Sequence, residues 1–142
     1  MTAGASRIID VAVGVIERPD GQVLLARRPE GKPYAGYWEF PGGKREPGES
    51  WEACLARELQ EELGVQVEVG RLFDEVVHEY PGKRVHLRFF ICRLRAGEPA
   101  PLGCAAVKWV TAAELAAHEF PPADAHLLAA LPAAPEFAEK RF

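Results

Sequence analysis

The chain has 142 residues, 48% hydrophobic and 27% charged, enough for one buried core and too few for two. A net charge of −4 gives no global attraction to nucleic acid or to an anionic membrane, so neither is an expected partner. Cys54, Cys92 and Cys104 are odd in number and lack metal-ligand spacing, and neither a leader nor an apolar run of about 18 residues is legible. A cytoplasmic protein with reduced thiols is therefore expected.

In chain order, residues 8–17 form a β-branched run, Arg18-Pro19-Asp20-Gly21 marks a turn, and residues 22–28 return as the partner strand. Residues 28–38 read as a Pro/Gly-rich loop. Pro41-Gly42-Gly43 and Pro47-Gly48 then punctuate the chain on either side of Lys44-Arg45-Glu46. Ser50 is a good N-cap, Glu52 suits the positive end of a helix, and Leu55, Leu59 and Leu63 make an i, i+4, i+8 stripe that Gly64 ends. Residues 65–80 and 84–94 predict a long hairpin about Pro81-Gly82-Lys83. A Gly/Pro/Ala-rich loop follows over residues 96–106. Lys108-Trp109-Val110 reads as a short strand, with Thr111 capping a helix to about Ala117. Residues 124–131 are a second helical pattern. The whole reads as one mixed α/β domain over residues 1–132, with a loose tail over 133–142. Trp38, Trp51 and Trp109 are read as core or core-edge aromatics, and His78, His86, His118 and His126 match no zinc spacing.

The chemistry concentrates at Glu58, Glu61 and Glu62, whose i, i+3, i+4 spacing puts three carboxylates on one helix face. Each like-charge pair destabilises an isolated helix by roughly 0.2–0.5 kcal/mol. A solvated acidic face is one reading. The other is a site for a hard divalent cation, since Mg2+ is held by a few carboxylates plus substrate phosphates.

Gly43, Glu49, Arg57, Glu58, Leu59, Glu61, Glu62, Gly64 and Val65 fill every specified position of a pattern that resembles the Nudix signature. The resemblance extends along nearly the whole chain to MutT-type nucleoside triphosphate pyrophosphohydrolases, through Ala26-Arg27-Arg28, Trp38-Glu39-Phe40-Pro41-Gly42-Gly43-Lys44 and Phe120-Pro121-Pro122-Ala123-Asp124. It implies a Nudix α/β fold, with a mixed central sheet sandwiched between helices and a loop–helix–loop metal site. It also implies hydrolysis of a nucleoside triphosphate to monophosphate and pyrophosphate with Mg2+, Mn2+ being a possible substitute. By the same resemblance, Glu58, Glu61, Glu62 and the Gly42 carbonyl hold metal, Glu49 supports catalysis, and Arg57 orients the acids by ion pairing. Arg28 and Lys83 face phosphate or base, or are ordinary surface charges. Phe40 packs on the base, or is a plain core aromatic. A monomer or weak homodimer is expected.

Two departures bear on mechanism and substrate. MutT-type enzymes usually carry a glutamate six residues before the tryptophan matching Trp109, and that position is Gly103. Either Glu98 swings in from the same loop, Glu79 on the hairpin takes its place, or metal activation of water suffices. Oxidised-guanine members carry Asn where this chain has Asp124. An ionised carboxylate only accepts hydrogen bonds, so guanine O6 would repel it unless it is protonated; it suits the amino group of cytosine or adenine. Asp124 also reads as an N-cap. Clearance of oxidised nucleotides such as 8-oxo-dGTP is the leading expectation. The alternatives are a CTP or 5-methyl-dCTP pyrophosphohydrolase and, in another class, a nucleotide-binding sensor or adaptor with little turnover.

Overall fold

The computed structural model describes residues 7–131. Alternation along the first strand, β1 (Arg7–Glu17), sets the architecture. Val13 and Val15 enter one apolar cluster while Ala12 and Ile16 enter another, on opposite faces of the sheet. The same period separates Leu87, Phe89 and Ile91 from Phe90 and Cys92 in β6 (Lys83–Ala96). Both faces are therefore apolar and both need cover. Helix α1 (Trp51–Leu63) covers one with the fully buried Cys54, Leu55, Leu59 and Leu63. The other receives Leu115, Ala123, Leu127 and Leu131 from the C-terminal segment.

Among the described residues, seven strands make one mixed sheet. β1 runs parallel to β6 from Arg7↔Lys83 to Glu17↔Arg93, and β6 pairs antiparallel with β5 (Gln66–Tyr80) in the expected hairpin. Lys83 belongs to the strand rather than the turn, which Pro81 and Gly82 make with Gly82 at φ 82°. β2 (Val23–Arg27) lies antiparallel to β1, β3 (Trp38–Glu39) and β7 (Ala106–Val110). The Gly-rich stretch read as loop punctuation contains a further strand, β4 (Gly42–Lys44), paired with Val11–Val13 of β1. Glycine permits it: a Cβ on Gly42 would lie 2.1 Å from the Ala12 carbonyl oxygen.

The caps of α1 fall where the sequence puts them. Ser50 accepts from the Ala53 N–H, and Gly64, at φ 72°, donates to the Gln60 carbonyl. Thr111 also caps as expected, within a full capping box, but the helix it starts, Ala112–Ala117, is 3₁₀ rather than α. Asp124 stands at the N-cap position of α2 (Ala125–Ala130), as one of its readings had it, but it ends a 3₁₀ turn (Pro122–Asp124), is itself in helical conformation, and makes no capping bond. Cys54, Cys92 and Cys104 are free thiols, and burial raises the first two to about 11 and about 12. The expected tail lies outside the described residues.

Candidate active site

Arg57 stands at the centre of the acid face of α1. Its Nε and Nη2 donate to the two carboxylate oxygens of Glu49 at 2.6 and 3.0 Å, a bidentate, charge-assisted pair. Its Nη1 donates to Glu58 at 3.0 Å and Glu61 at 3.1 Å, and Nη2 also reaches the Lys44 carbonyl at 3.2 Å. One guanidinium thus orients three carboxylates. Its hydrogen bonds, with the Glu46 amide, lower the Glu49 carboxyl to about 2, and the same pair keeps Arg57 charged. Burial raises Glu58 nonetheless, against the pull of Arg57. Gly43 lets this carboxylate lie against the chain, because a Cβ there would sit 2.1 Å from Glu58 Cδ.

Glu62 turns the other way, into a cavity of about 670 Å3, a size suited to a small-molecule ligand. Its Oε1 accepts from the Gly42 N–H at 3.3 Å, while burial and then the charge of Glu39 push it up to about 7. Among the described residues, no three His, Cys, Asp or Glu side chains converge as a finished metal cage. Glu58 and Glu61 are turned to Arg57, and Glu62 to Gly42. The donor set nevertheless fits a hard divalent cation. It is all carboxylate, on one helix face, and burial with the charge of neighbouring carboxylates raises Glu58, despite Arg57, and Glu62.

Val11 and Val13 of β1 with Val85 and Leu87 of β6 floor the cavity, and Phe40, stacked on Phe120 at 5.7 Å, forms its inner wall. Phe40 is a core aromatic at 3% exposure, as one of its two readings had it, and it also lines the cavity. Asp124 closes the same wall at 6% exposure. No hydrogen bond reaches its carboxyl among the described residues. Burial, then repulsion from Glu39, raises it to about 7 against the attraction of Arg28.

Arg28 is at the cavity, but its guanidinium is engaged by Glu39 at 2.6 Å and by the Pro33 carbonyl at 2.6 Å. Lys83 lines the cavity with its ammonium 5.4 Å from the centre of the Tyr80 ring. Glu98 is exposed on the loop after β6 and Glu79 is paired with Arg84 at 3.0 Å; neither lines the cavity. The contact Gly42 makes to the acids runs through its N–H, not its carbonyl. Sequence reasoning missed Glu39, whose carboxyl burial raises despite Arg28. A lone acid between Trp38 and Phe40 was the available signal. It also missed Tyr34, at the cavity mouth with φ 59°, the one non-glycine positive φ among the described residues.

This arrangement agrees with the comparisons. Residues 12–130 match the model of the NUDIX domain. The chain is 39% identical over 122 residues to the 8-oxo-dGTP diphosphatase of Haemophilus influenzae, covering 86% of this chain and 90% of that one. It is 40% identical over 129 residues to the CTP pyrophosphohydrolase of Escherichia coli, covering 87% and 91%. The solution structure of the E. coli ORF135 protein superposes with a TM-score of 0.79 at 36% identity, over 94% of each chain. Fold, acid helix and relatives lead to one conclusion: the chain belongs to the NUDIX domain family and is a pyrophosphohydrolase of the Nudix type.

Proposed function

We propose that the chain hydrolyses nucleoside triphosphates to monophosphate and pyrophosphate, with 8-oxo-dGTP as its preferred substrate. The observation that carries this reading is Asp124, buried in the cavity wall with its carboxyl raised to about 7. A neutral carboxyl has both a donor and an acceptor. It can donate to guanine O6 while its other oxygen accepts the N7–H that oxidation creates, as an amide would. The relative from H. influenzae that carries the name 8-oxo-dGTP diphosphatase supports the choice.

The roles follow from charge. Glu58, Glu61 and Glu62 hold the divalent cation, Mg2+ with Mn2+ as substitute. When bound, the cation draws charge from the phosphates and makes water a better nucleophile. Arg57 keeps Glu58 and Glu61 at one edge of the cavity, with Glu49 fixing the guanidinium from behind. Lys83 meets the phosphates or the base at the mouth, Phe40 lies against the base, and Arg28 acts through Glu39. Glu98 takes no part, and turnover proceeds without an acid at position 103. The enzyme acts on free nucleotides as a cytoplasmic monomer or weak homodimer. A net charge of −4 gives no general attraction to nucleic acid, and no helix of the described residues is long and apolar enough to cross a membrane.

A second reading is favoured by Glu39, a further carboxylate on the same wall. Two ionised acids would receive the amino group of cytosine, and the CTP pyrophosphohydrolase of E. coli is a relative. A pyrophosphate-release screen with Mg2+ against 8-oxo-dGTP, dGTP, CTP, dCTP and 5-methyl-dCTP separates the two, with Glu61→Gln as the inactive control. Selective turnover of 8-oxo-dGTP is expected. Preference for cytosine nucleotides establishes the second reading, and tight binding without turnover refutes both.

A further inference from the structure

The spacer between Gly43 and Glu49 is unspecified in the signature, yet in this chain it carries a charged side chain with a defined set of partners. Arg45 donates through Nε and Nη2 to one carboxylate oxygen of Asp10, at 3.2 and 2.5 Å. Its backbone N–H donates to the Asp10 carbonyl at 2.8 Å. The remaining arm, Nη1, donates to the carbonyl of Glu49 at 2.9 Å. The guanidinium carbon lies 5.3 Å from the centre of the Trp51 ring, which also has Arg88 at 4.5 Å. Asp10 is held in turn by β1, in register with His86 of β6, whose Nδ1 lies 3.5 Å from its second oxygen.

The loop needs such an anchor. The loop meets α1 through the Glu49 carboxylate, but between Arg45 and Ser50 its backbone bonds, Glu49 N–H to the Glu46 carbonyl and Glu46 N–H to the Glu49 carboxylate, stay within the loop, and Gly48 at φ 84° adds freedom. Arg45 connects the backbone at Glu49 to the sheet. Glu49 is the carboxylate on which the Arg57 fork is built, and Arg57 sets Glu58 and Glu61. An ordinary partly exposed ion pair contributes little and would leave catalysis untouched. This one fixes the start of a chain of charged groups that ends at the acids.

We propose that Asp10 and Arg45 form a clasp that positions Glu49, and through it Arg57, Glu58 and Glu61, for the reaction. The two are positioning residues, and the inference rests on the hydrolase reading above. Displacing the support of a reacting group costs about 10- to 100-fold in rate.

The test is steady-state kinetics of Asp10→Asn, Arg45→Met and Arg45→Lys, each also in a Glu49→Gln background, with thermal midpoints alongside. Expected are a fall in kcat of about tenfold for Asp10→Asn and Arg45→Met, with KM changed by less than about twofold and little change in midpoint. Arg45→Lys can hold Asp10 but not the Glu49 carbonyl as well, so it restores little of the rate. In the Glu49→Gln background the loss from Arg45→Met disappears, because the two act through one path. An independent readout is the Arg57 Nε–H cross-peak in a 1H–15N spectrum, expected to shift and broaden in Asp10→Asn. Unchanged kcat, losses that add to that of Glu49→Gln, or an unmoved Arg57 signal each overturn the clasp. Absence of turnover in the unmodified protein would sink the hydrolase reading instead, while the Arg57 signal still decides the clasp.

Discussion

Replacing Asp124 by Asn tests the electrostatics of the cavity by way of stability. The residue is 6% exposed, and its carboxyl moves from an ordinary 3.8 to about 7, chiefly through burial. A folded-state value above the unfolded one means that the folded protein disfavours the ionised form. Its destabilising effect is absent below the unfolded value, grows as pH rises from there, and is complete above about 7. A displacement of that size corresponds to on the order of 4 kcal/mol, a ceiling because water entering the cavity screens part of it. Asn fills the same space, does not titrate, and forfeits no hydrogen bond made by the carboxyl among the described residues. Asp124→Asn is therefore expected to be the more stable protein at pH 8.5, with an advantage over the unsubstituted chain that shrinks by about 2 kcal/mol at pH 5.5. Urea unfolding at the two pH values, followed by tryptophan fluorescence, measures it. An advantage equal at both values, or one that grows toward low pH, would refute the assignment of a raised carboxyl.

Two further substitutions probe the acid helix. Gly43→Ala puts a Cβ 2.1 Å from Glu58 Cδ and must displace that carboxylate; kcat is expected to fall by about 100-fold while circular dichroism shows the helix intact. Unchanged kcat would show that Glu58 is free to move without cost. Gly103→Glu restores an acid beside Glu62, where a Cβ meets Glu62 Cα and Cγ at an ordinary 3.4 and 3.5 Å. Pyrophosphate release is expected to accelerate, by up to about 100-fold if the new carboxylate serves as base. No gain would show that the reaction does not need a general base at that position.

What could be read from the sequence was what neighbouring residues decide together. The α1 helix announced itself through Ser50, the Leu55–Leu59–Leu63 spacing and Gly64, all within one helix length, and the β5–β6 hairpin through two strand patterns about Pro81 and Gly82. The carboxylate face was equally local. β4 was not legible because three residues rich in glycine become a strand only when β1 lies alongside. Asp124 has the composition of an N-cap, but the 3₁₀ turn that packs Ala123 into the core already fixes its conformation and points it to the cavity. The same holds for Arg28 and Glu39, eleven residues apart and joined by the pairing of β2 with β3. The engagement of Arg28 with Glu39 is a property of that pairing, which no local pattern encodes.

The alternation along β1 and β6 divides the interior into two separate apolar masses, one under α1 and one under the C-terminal segment. The carboxylates on α1 stand on the first, and Phe40, Phe120, Ala123 and Asp124 belong to or border the second. On the proposed function, a substitution that reshapes the second mass alters which base is accepted without loosening the helix that carries the acids. Selectivity and chemistry can drift apart in such a molecule, each with its own supporting layer and a shared sheet as the wall between them.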